Sequence, residues 1–380
     1  MPENADDQEM LLLHEQFMAR ALKLARNGFI KIAPSPFRGA LIAQGDTVVG
    51  KGYLANRDAL DGEMHALKAA GERAKGATLY VNLEPAFGTS KGINLVDAII
   101  QAGIARVVVA VRDSNPVVSG KTLDALAAAG IEIIEGILAD EARSLNEIYL
   151  KEASTRRPFV NLLTAMSLDG KIATRLQDTD GITGPEAREF VQNLRARYDA
   201  VMIGVNTILQ DNPMLNCKIL RGCDPWRIVI DTEAKTPVNS KLFLRSDPDE
   251  TRAPVLIAIS YGAHEDRLRS LRLAGAEILH CPDENSDEPR VDLGRLMQML
   301  NKRGITSVLI EGGSTLRAAA LEAGIVDKVS FLVAPKLIGG SDALSAVGGE
   351  GVGFVHDAWP VQKMQTRQLG QDLLIEGYLS

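Results

Sequence analysis

No cysteine occurs in the first 216 residues of this 380-residue chain. The three that follow, Cys217, Cys223 and Cys281, match neither a zinc knuckle nor a disulfide framework and read as small, partly buried filler. No apolar stretch approaches the roughly 20 residues that a membrane span needs. Basic clusters are also missing: beyond short pieces such as Arg156-Arg157 there is none, and the net charge is −7. Binding to a phosphate backbone demands a concentrated basic face, which disfavours a nucleic-acid partner. The opening residues, MPENADDQEM, are acidic and polar, unlike an ordinary secretory signal. The expectation is a cytoplasmic protein with no membrane association.

What is present suffices for two cores. The composition is 46% apolar and 24% charged, and the length fits two domains or one large one. The first half reads as residues 1–153. Residues 11–27 carry the stripe Leu12, Phe17, Ala21, Leu22 and Leu24 of an amphipathic helix. After a Pro-rich turn, Ala33-Pro34-Ser35-Pro36, two short strands (39–43 and 47–53) form a hairpin over Gln44-Gly45-Asp46. A helix (61–74), a strand (77–83), a helix (94–102), a strand (105–111), a helix ending at Gly130 and a last strand (131–134) follow. That alternation predicts an α/β/α sandwich. The polar run from Ala153 to Pro158 reads as a boundary, with Pro158 forcing an extended entry.

The second half, 157–380, is organised around the stretch from Pro158 to Thr174. Its apolar run Phe159–Met166 suits a strand buried on both faces of a sheet, stopped by the turn Ser167-Leu168-Asp169-Gly170. Ligands of open α/β sheets gather at such strand ends. Pro185 opens a helix, and 200–204 is a buried strand leading into a loop over 205–216 punctuated by Asn212-Pro213. Further strands follow at 226–231, 255–260, 276–280 and 307–310, with helices at 268–274 and 294–303. The strand 307–310 runs into Glu311-Gly312-Gly313-Ser314-Thr315 and a helix at 316–323. Glycines let backbone approach a phosphate, and a helix N-terminus supplies free N–H groups and partial positive charge. The pattern lacks the three-glycine dinucleotide fingerprint and equally serves a tight turn.

The first-half order Asp61-Gly62-Glu63-Met64-His65-Ala66-Leu67, Leu83-Glu84-Pro85, Arg112-Asp113-Ser114-Asn115-Pro116 and Ala129-Gly130-Ile131 resembles the deaminase domain of the bifunctional riboflavin-biosynthesis deaminase/reductase family. The resemblance implies a cytidine-deaminase-like fold with three zinc ligands, one His and two Cys, and a Glu that shuttles the proton. Here Asp61 stands at the His position, Ala86 at the first Cys and Leu95 near the second, while Glu63 is retained. Ser35 and Leu54 depart from the family's Asn and His as well. Asp61 and His65, spaced i, i+4, are the one alternative metal pair, though the family does not use the latter as a ligand. The expectation is no zinc and a deaminase-like domain without activity, left with a structural or oligomerisation role.

The second half resembles the reductase domain of the same family through Ser167–Ala173, Gly204–Asn216, Arg227–Asp231, Glu311-Gly312-Gly313 and Ala334–Gly340. The resemblance implies a dihydrofolate-reductase-like fold, NADPH as cofactor, and reduction of a phosphorylated ribosylaminopyrimidine to its ribitylamino product. Carried across position by position, Ala165, Gly181, Thr207 and Asp211 fall on the nicotinamide side and Gly313, Ser314, Thr315 and Leu316 on the phosphates. Thr179, Arg195, Leu215, Lys218 and Glu311 face the substrate, with Arg195 and Lys218 suited to its 5′-phosphate. Glu311 and Asp211 are the expected catalytic pair. Three positions depart from the family: Leu163 replaces a common Lys, Gly181 a Trp and Lys218 an Arg. Those changes leave open a related glycosylamine substrate, and a non-catalytic regulatory protein is the reading from another class. Association as a homodimer through the reductase domain is implied by the resemblance alone.

Overall fold

The structure, a computed structural model, describes residues 5–28, 35–56, 59–90, 92–219, 224–244 and 254–379. Ala33 and Pro34 of the Pro-rich turn, and Cys223, lie outside the described residues. The chain divides into two compact units, Met1–Arg156 and Arg157–Ser380.

The first unit runs α1 (Ala5–Ala25), β1 (Gly39–Gln44), β2 (Thr47–Tyr53), α2 (Gly62–Ala70), β3 (Thr78–Val81) and a two-residue pair, β4 (Thr89–Ser90) with β5 (Ile93–Asn94). It continues with α3 (Leu95–Gln101), β6 (Arg106–Val109), α4 (Lys121–Ala128), β7 (Glu132–Glu135), α5 (Ala139–Leu145) and α6 (Glu147–Thr155). Its main sheet has the order β2-β1-β3-β6-β7, with β1 antiparallel to both neighbours and β3, β6 and β7 parallel. Side chains alternate across each strand. Leu79, Val81, Val107 and Val109 pack against α2, α3 and α4, whereas Tyr80, Val108 and Leu41 pack against α1. The α/β/α sandwich expected from the sequence is the one observed. A Cβ at Gly39 would lie 2.2 Å from the Ala21 carbonyl oxygen, so glycine is what lets α1 press onto β1. Residues 153–155, read as part of a boundary, are the last turn of α6.

The second unit contains β8 (Phe159–Ser167), α7 (Pro185–Arg197), β9 (Ala200–Gly204), α8 (Val205–Asp211), β10 (Trp226–Ile230), β11 (Val255–Ile259), α9 (Glu265–Leu273) and β12 (Ala276–His280). Then follow α10 (Leu293–Asn301), β13 (Ser307–Ile310), α11 (Ser314–Glu322), β14 (Lys328–Ala334), β15 (Val361–Leu369) and β16 (Asp372–Leu379). One nine-stranded sheet has the order β12-β11-β10-β9-β13-β8-β14-β16-β15. The strands from β12 to β14 are parallel; β16 runs antiparallel to β14, and β15 antiparallel to β16. β8 lies between β13 and β14, which explains its near-continuous apolar run. Gly170 takes φ +77° in the turn after it.

The loop expected over 205–216 is corrected: Val205–Asp211 is a helix whose buried Ile208 anchors it, and only residues 212–216 form the loop. The parallel strands β9 and β13 therefore run from their carboxyl ends straight into α8 and α11. Among the described residues, no helix is long and apolar enough to cross a membrane.

Candidate active site

In the second unit two cavities adjoin at these strand ends. The larger, of about 800 Å³, lies over the start of α11 and is lined by Gly313, Ser314, Thr315 and Leu316. The smaller, of about 420 Å³, is lined by Leu163, Ala165, Thr179, Asp211, Arg195 and Glu311 among others. Thr207, Gln210, Gly313 and Leu344 line both, so the two form one continuous groove.

Glycine at 312 has a packing reason: a Cβ there would lie 2.6 Å from Leu316 Cδ2. Gly313 precedes α11 in extended backbone (φ −69°, ψ 175°), and no side chain caps the helix, whose first residues, Ser314, Thr315 and Leu316, line the larger cavity. A strap over residues 343–348 crosses the helix start. It is pinned by the Gly348 amide donating to the Ser314 carbonyl at 3.1 Å, the Ala346 amide to Gly170 at 2.9 Å, and Lys171 Nζ to the Ala343 carbonyl at 3.0 Å.

Six charged side chains line the smaller cavity: Asp180, Arg188, Arg195, Asp211, Glu311 and Arg317. Arg195 of α7 donates to both Glu311 oxygens, Nε to Oε1 at 2.8 Å and Nη2 to Oε2 at 2.6 Å, and Nη1 donates to the Asn216 carbonyl at 3.2 Å. Burial opposes the Arg195 charge, and Glu311 overcomes that burial, raising its pKa. Asp211, at the rim, has its carboxyl pKa raised by desolvation and by Asp180, against a lowering hydrogen bond from Thr179. Arg317 is 5% exposed; its Nη1 donates to the Ala346 carbonyl at 3.0 Å, and its Nε has no partner among the described residues. Burial lowers its pKa to about 10, with Glu311 offsetting part of the shift, so it stays cationic at neutral pH.

In the first unit, the positions that the resemblance gives to zinc hold Asp61, Ala86 and Leu95. Ala86 and Leu95 offer no donor atom, and His65 is exposed while Asp61 is half-buried. Among the described residues, no group of three or more His, Cys, Asp or Glu side chains is placed to hold a metal ion. Glu63 is buried, with Oε1 lying 3.3 Å from Arg38 Nη1 and Oε2 without a partner among the described residues. Glu84 accepts from the backbone amides of Asp113, Gly120 and Thr122, which makes it a brace for the loop after β6.

The family model described as the RibD C-terminal domain matches residues 158–375. The riboflavin biosynthesis protein RibD of Actinobacillus pleuropneumoniae is 37% identical over 360 residues, covering 95% of this chain and 94% of that relative. The chain belongs to the RibD family. Among solved structures, RibD of Acinetobacter baumannii superposes with a TM-score of 0.80 at 32% identity, covering 97% of this chain and 99% of that one. A Thermotoga maritima diaminohydroxyphosphoribosylaminopyrimidine deaminase/5-amino-6-(5-phosphoribosylamino)uracil reductase gives 0.79 at 29% identity, covering 98% and 100%. RibD-family membership makes this chain an enzyme of riboflavin biosynthesis with a reductase domain, and the two-part fold expected from the sequence is that of the family.

Within that RibD-type reductase unit, Ser314, Thr315 and Leu316 line the larger cavity and Ala165, Gly181 and Asp211 the smaller, with Thr207 and Gly313 between them. Thr179, Arg195 and Glu311 share the smaller cavity; Leu215 and Lys218 line neither. Leu215 is buried at φ +54°, and the Lys218 backbone amide donates to Gln192 while its side chain is exposed. Two arginines of the smaller cavity escaped the sequence reading, Arg188 and Arg317. Arg188 was findable, because it lies seven residues before Arg195 on one face of α7.

Proposed function

We propose that the second unit reduces a phosphorylated ribosylaminopyrimidine with NADPH and that the first unit does not deaminate. The observation that carries the reading is the continuous groove. One end offers small residues and free helix N–H groups to an anion, and the other holds a carboxyl, an Arg–Glu pair and further arginines. The nicotinamide cofactor supplies the hydride when bound.

The chain's own residues do the rest. Gly313, Ser314 and Thr315 take the cofactor phosphates, and Thr207 sits at the seam where its ribose passes. Ala165, small and at the end of β8, leaves room for the nicotinamide ring. Asp211, with its raised pKa, is the group suited to carry a proton: it donates to the ring oxygen as the C1–O bond breaks and recovers a proton from the exocyclic nitrogen. That exchange yields an open imine ready for reduction at C1. Glu311, held in two hydrogen bonds by Arg195, is oriented to accept from hydroxyls or ring N–H groups. Since Arg195 is occupied by Glu311, Arg188 is the better partner for the 5′-phosphate.

A second reading keeps this chemistry on a related glycosylamine. It is favoured by Leu163, whose buried isobutyl group gives the smaller cavity an apolar wall. The exposed edge strand β15, with Met364 60% exposed and Phe354 and Val355 just before it 67% and 92% exposed, supports association of two copies through this unit.

Decay of NADPH absorbance on addition of 5-amino-6-(5-phosphoribosylamino)uracil, with ammonia release from the aminopyrimidine precursor followed in parallel, tests the reading. Turnover of NADPH without ammonia supports it; ammonia without NADPH oxidation overturns it. Light scattering of the eluting protein tests the dimer, which fails if the mass is that of one chain.

A further inference from the structure

We propose that the Arg38 guanidinium is the resident cation of the first unit, standing in the place where the deaminase fold holds a metal ion. The unit is then built around an internal ion-pair network and has no room for zinc. This rests on the reading that the first unit does not deaminate, and the experiments below let the two fail separately.

Arg38 immediately precedes β1, and it is only 6% exposed. Its Nη1 lies 3.3 Å from Glu63 Oε1 and donates to the Glu84 carbonyl at 3.0 Å, while Nη2 lies 3.6 Å from Asp113 Oδ2. These partners come from three separate elements, the first turn of α2, the segment after β3 and the loop after β6. Two of them adjoin the family's ligand positions in sequence: Asp61 is two residues before Glu63, and Ala86 is two residues after Glu84. The Asp61 carboxylate adds to the field at both Arg38 and Glu63.

A buried guanidinium is tolerated only when its charge and donors are matched. Here two carboxylates and a carbonyl match it, and the second layer is also ordered. The Tyr149 hydroxyl donates to Asp113 Oδ2 at 2.8 Å, and Asp113 Oδ1 accepts from the Asn115 amide at 2.8 Å. Glu63, the carboxylate retained from the family's motif, is thereby held by a fixed cation. A divalent ion entering this space meets that cation and finds neither thiolate nor imidazole. Loss of the ligands and the presence of Arg38 are two halves of one exchange: a monovalent charge attached to the chain for a divalent one bound from solution.

The test uses the full chain and zinc itself, titrated against a chromogenic chelator. Three proteins are compared: the natural chain, the variant Asp61→His/Ala86→Cys/Leu95→Cys, and that variant with Arg38→Met added. Restoring the ligands alone is expected to give weak zinc binding, and removing Arg38 as well to tighten it on the order of 100-fold, since two like charges at contact range repel strongly in a buried site. Equal affinity of the two variants overturns the proposal, as does one tightly held zinc per natural chain. Thermal unfolding of Arg38→Met, Glu63→Gln and the double variant decides the matter if the four-residue variant does not fold. Each single change is expected to lower Tm, with the double recovering much of the loss. An Arg38→Met chain that melts like the natural one sinks the proposal. Ammonia release by the natural chain would overturn the silent-domain reading and leave the ranking of zinc affinities untouched.

Discussion

Arg195 and Glu311 meet through two parallel hydrogen bonds of 2.8 and 2.6 Å across 116 positions of sequence, with side chains 14% and 11% exposed. Each is read from sequence as a substrate contact. In the fold they first satisfy each other, and what they offer a ligand is the residual capacity of a preformed pair. Breaking such a pair strands a charge. Arg195→Met or Glu311→Gln alone should therefore lower stability by about 2–4 kcal/mol, and Arg195→Met/Glu311→Leu together by less than their sum. Chemical denaturation measures this, and additive losses would contradict it.

Asp211 should impose an alkaline limb on kcat/KM. Its pKa is raised by desolvation, so the protonated form survives above the ordinary aspartate range, and a step that uses that proton is lost as pH climbs through the raised value. Asp211→Asn should cost about 100-fold or more in kcat and remove the limb. A limb that persists in the variant would assign it to another group.

Gly313→Val separates a nucleotide site from a structural turn. A Cβ at Gly313 would have nothing nearer than Thr207 Oγ1 at 3.9 Å, and its backbone is extended, so the fold tolerates a side chain there. The added methyl groups would project into both cavities. Tm should stay within a few degrees of the natural chain while the NADPH Kd rises about 10-fold or more. Unchanged NADPH affinity would remove Gly313 from the binding site.

In the proposed function Arg188 takes the phosphate contact that the sequence reading gave to Lys218. Lys218→Ala should leave KM within about twofold, whereas Arg188→Ala should raise KM about 10-fold through loss of a charge-assisted contact to the substrate phosphate. A larger effect at Lys218 than at Arg188 would restore the original assignment.

Much of this was readable along the chain because it follows from local rules. The unbroken apolar run of β8 demands two covered faces, and strand–Gly-Gly–helix demands a tight entry into α11. Other features were not legible, each for a physical reason. Residues 205–211 hold Val, Asn, Thr and Ile, mediocre helix formers that helical packing of Ile208 overrides. Strand β15 carries charged and polar residues on both faces and gave no clear period, since it is the exposed edge of the sheet. Lys218 was assigned to the site because it stands at the family's Arg position, yet Asn212 and Leu215 both take left-handed backbone and neither Leu215 nor Lys218 lines either cavity.

By itself the sequence determined the two-part organisation, the family, and the absence of nitrogen and sulfur donors at the former zinc positions, because composition and motif order need no coordinates. Tertiary structure alone decided which charges meet: that Arg195 takes Glu311, that Arg317 is buried beside them, and that Arg38 holds Glu63. Pairing of buried charges depends on distances between segments far apart in sequence, and on how little water remains between them, which no local pattern of residues encodes.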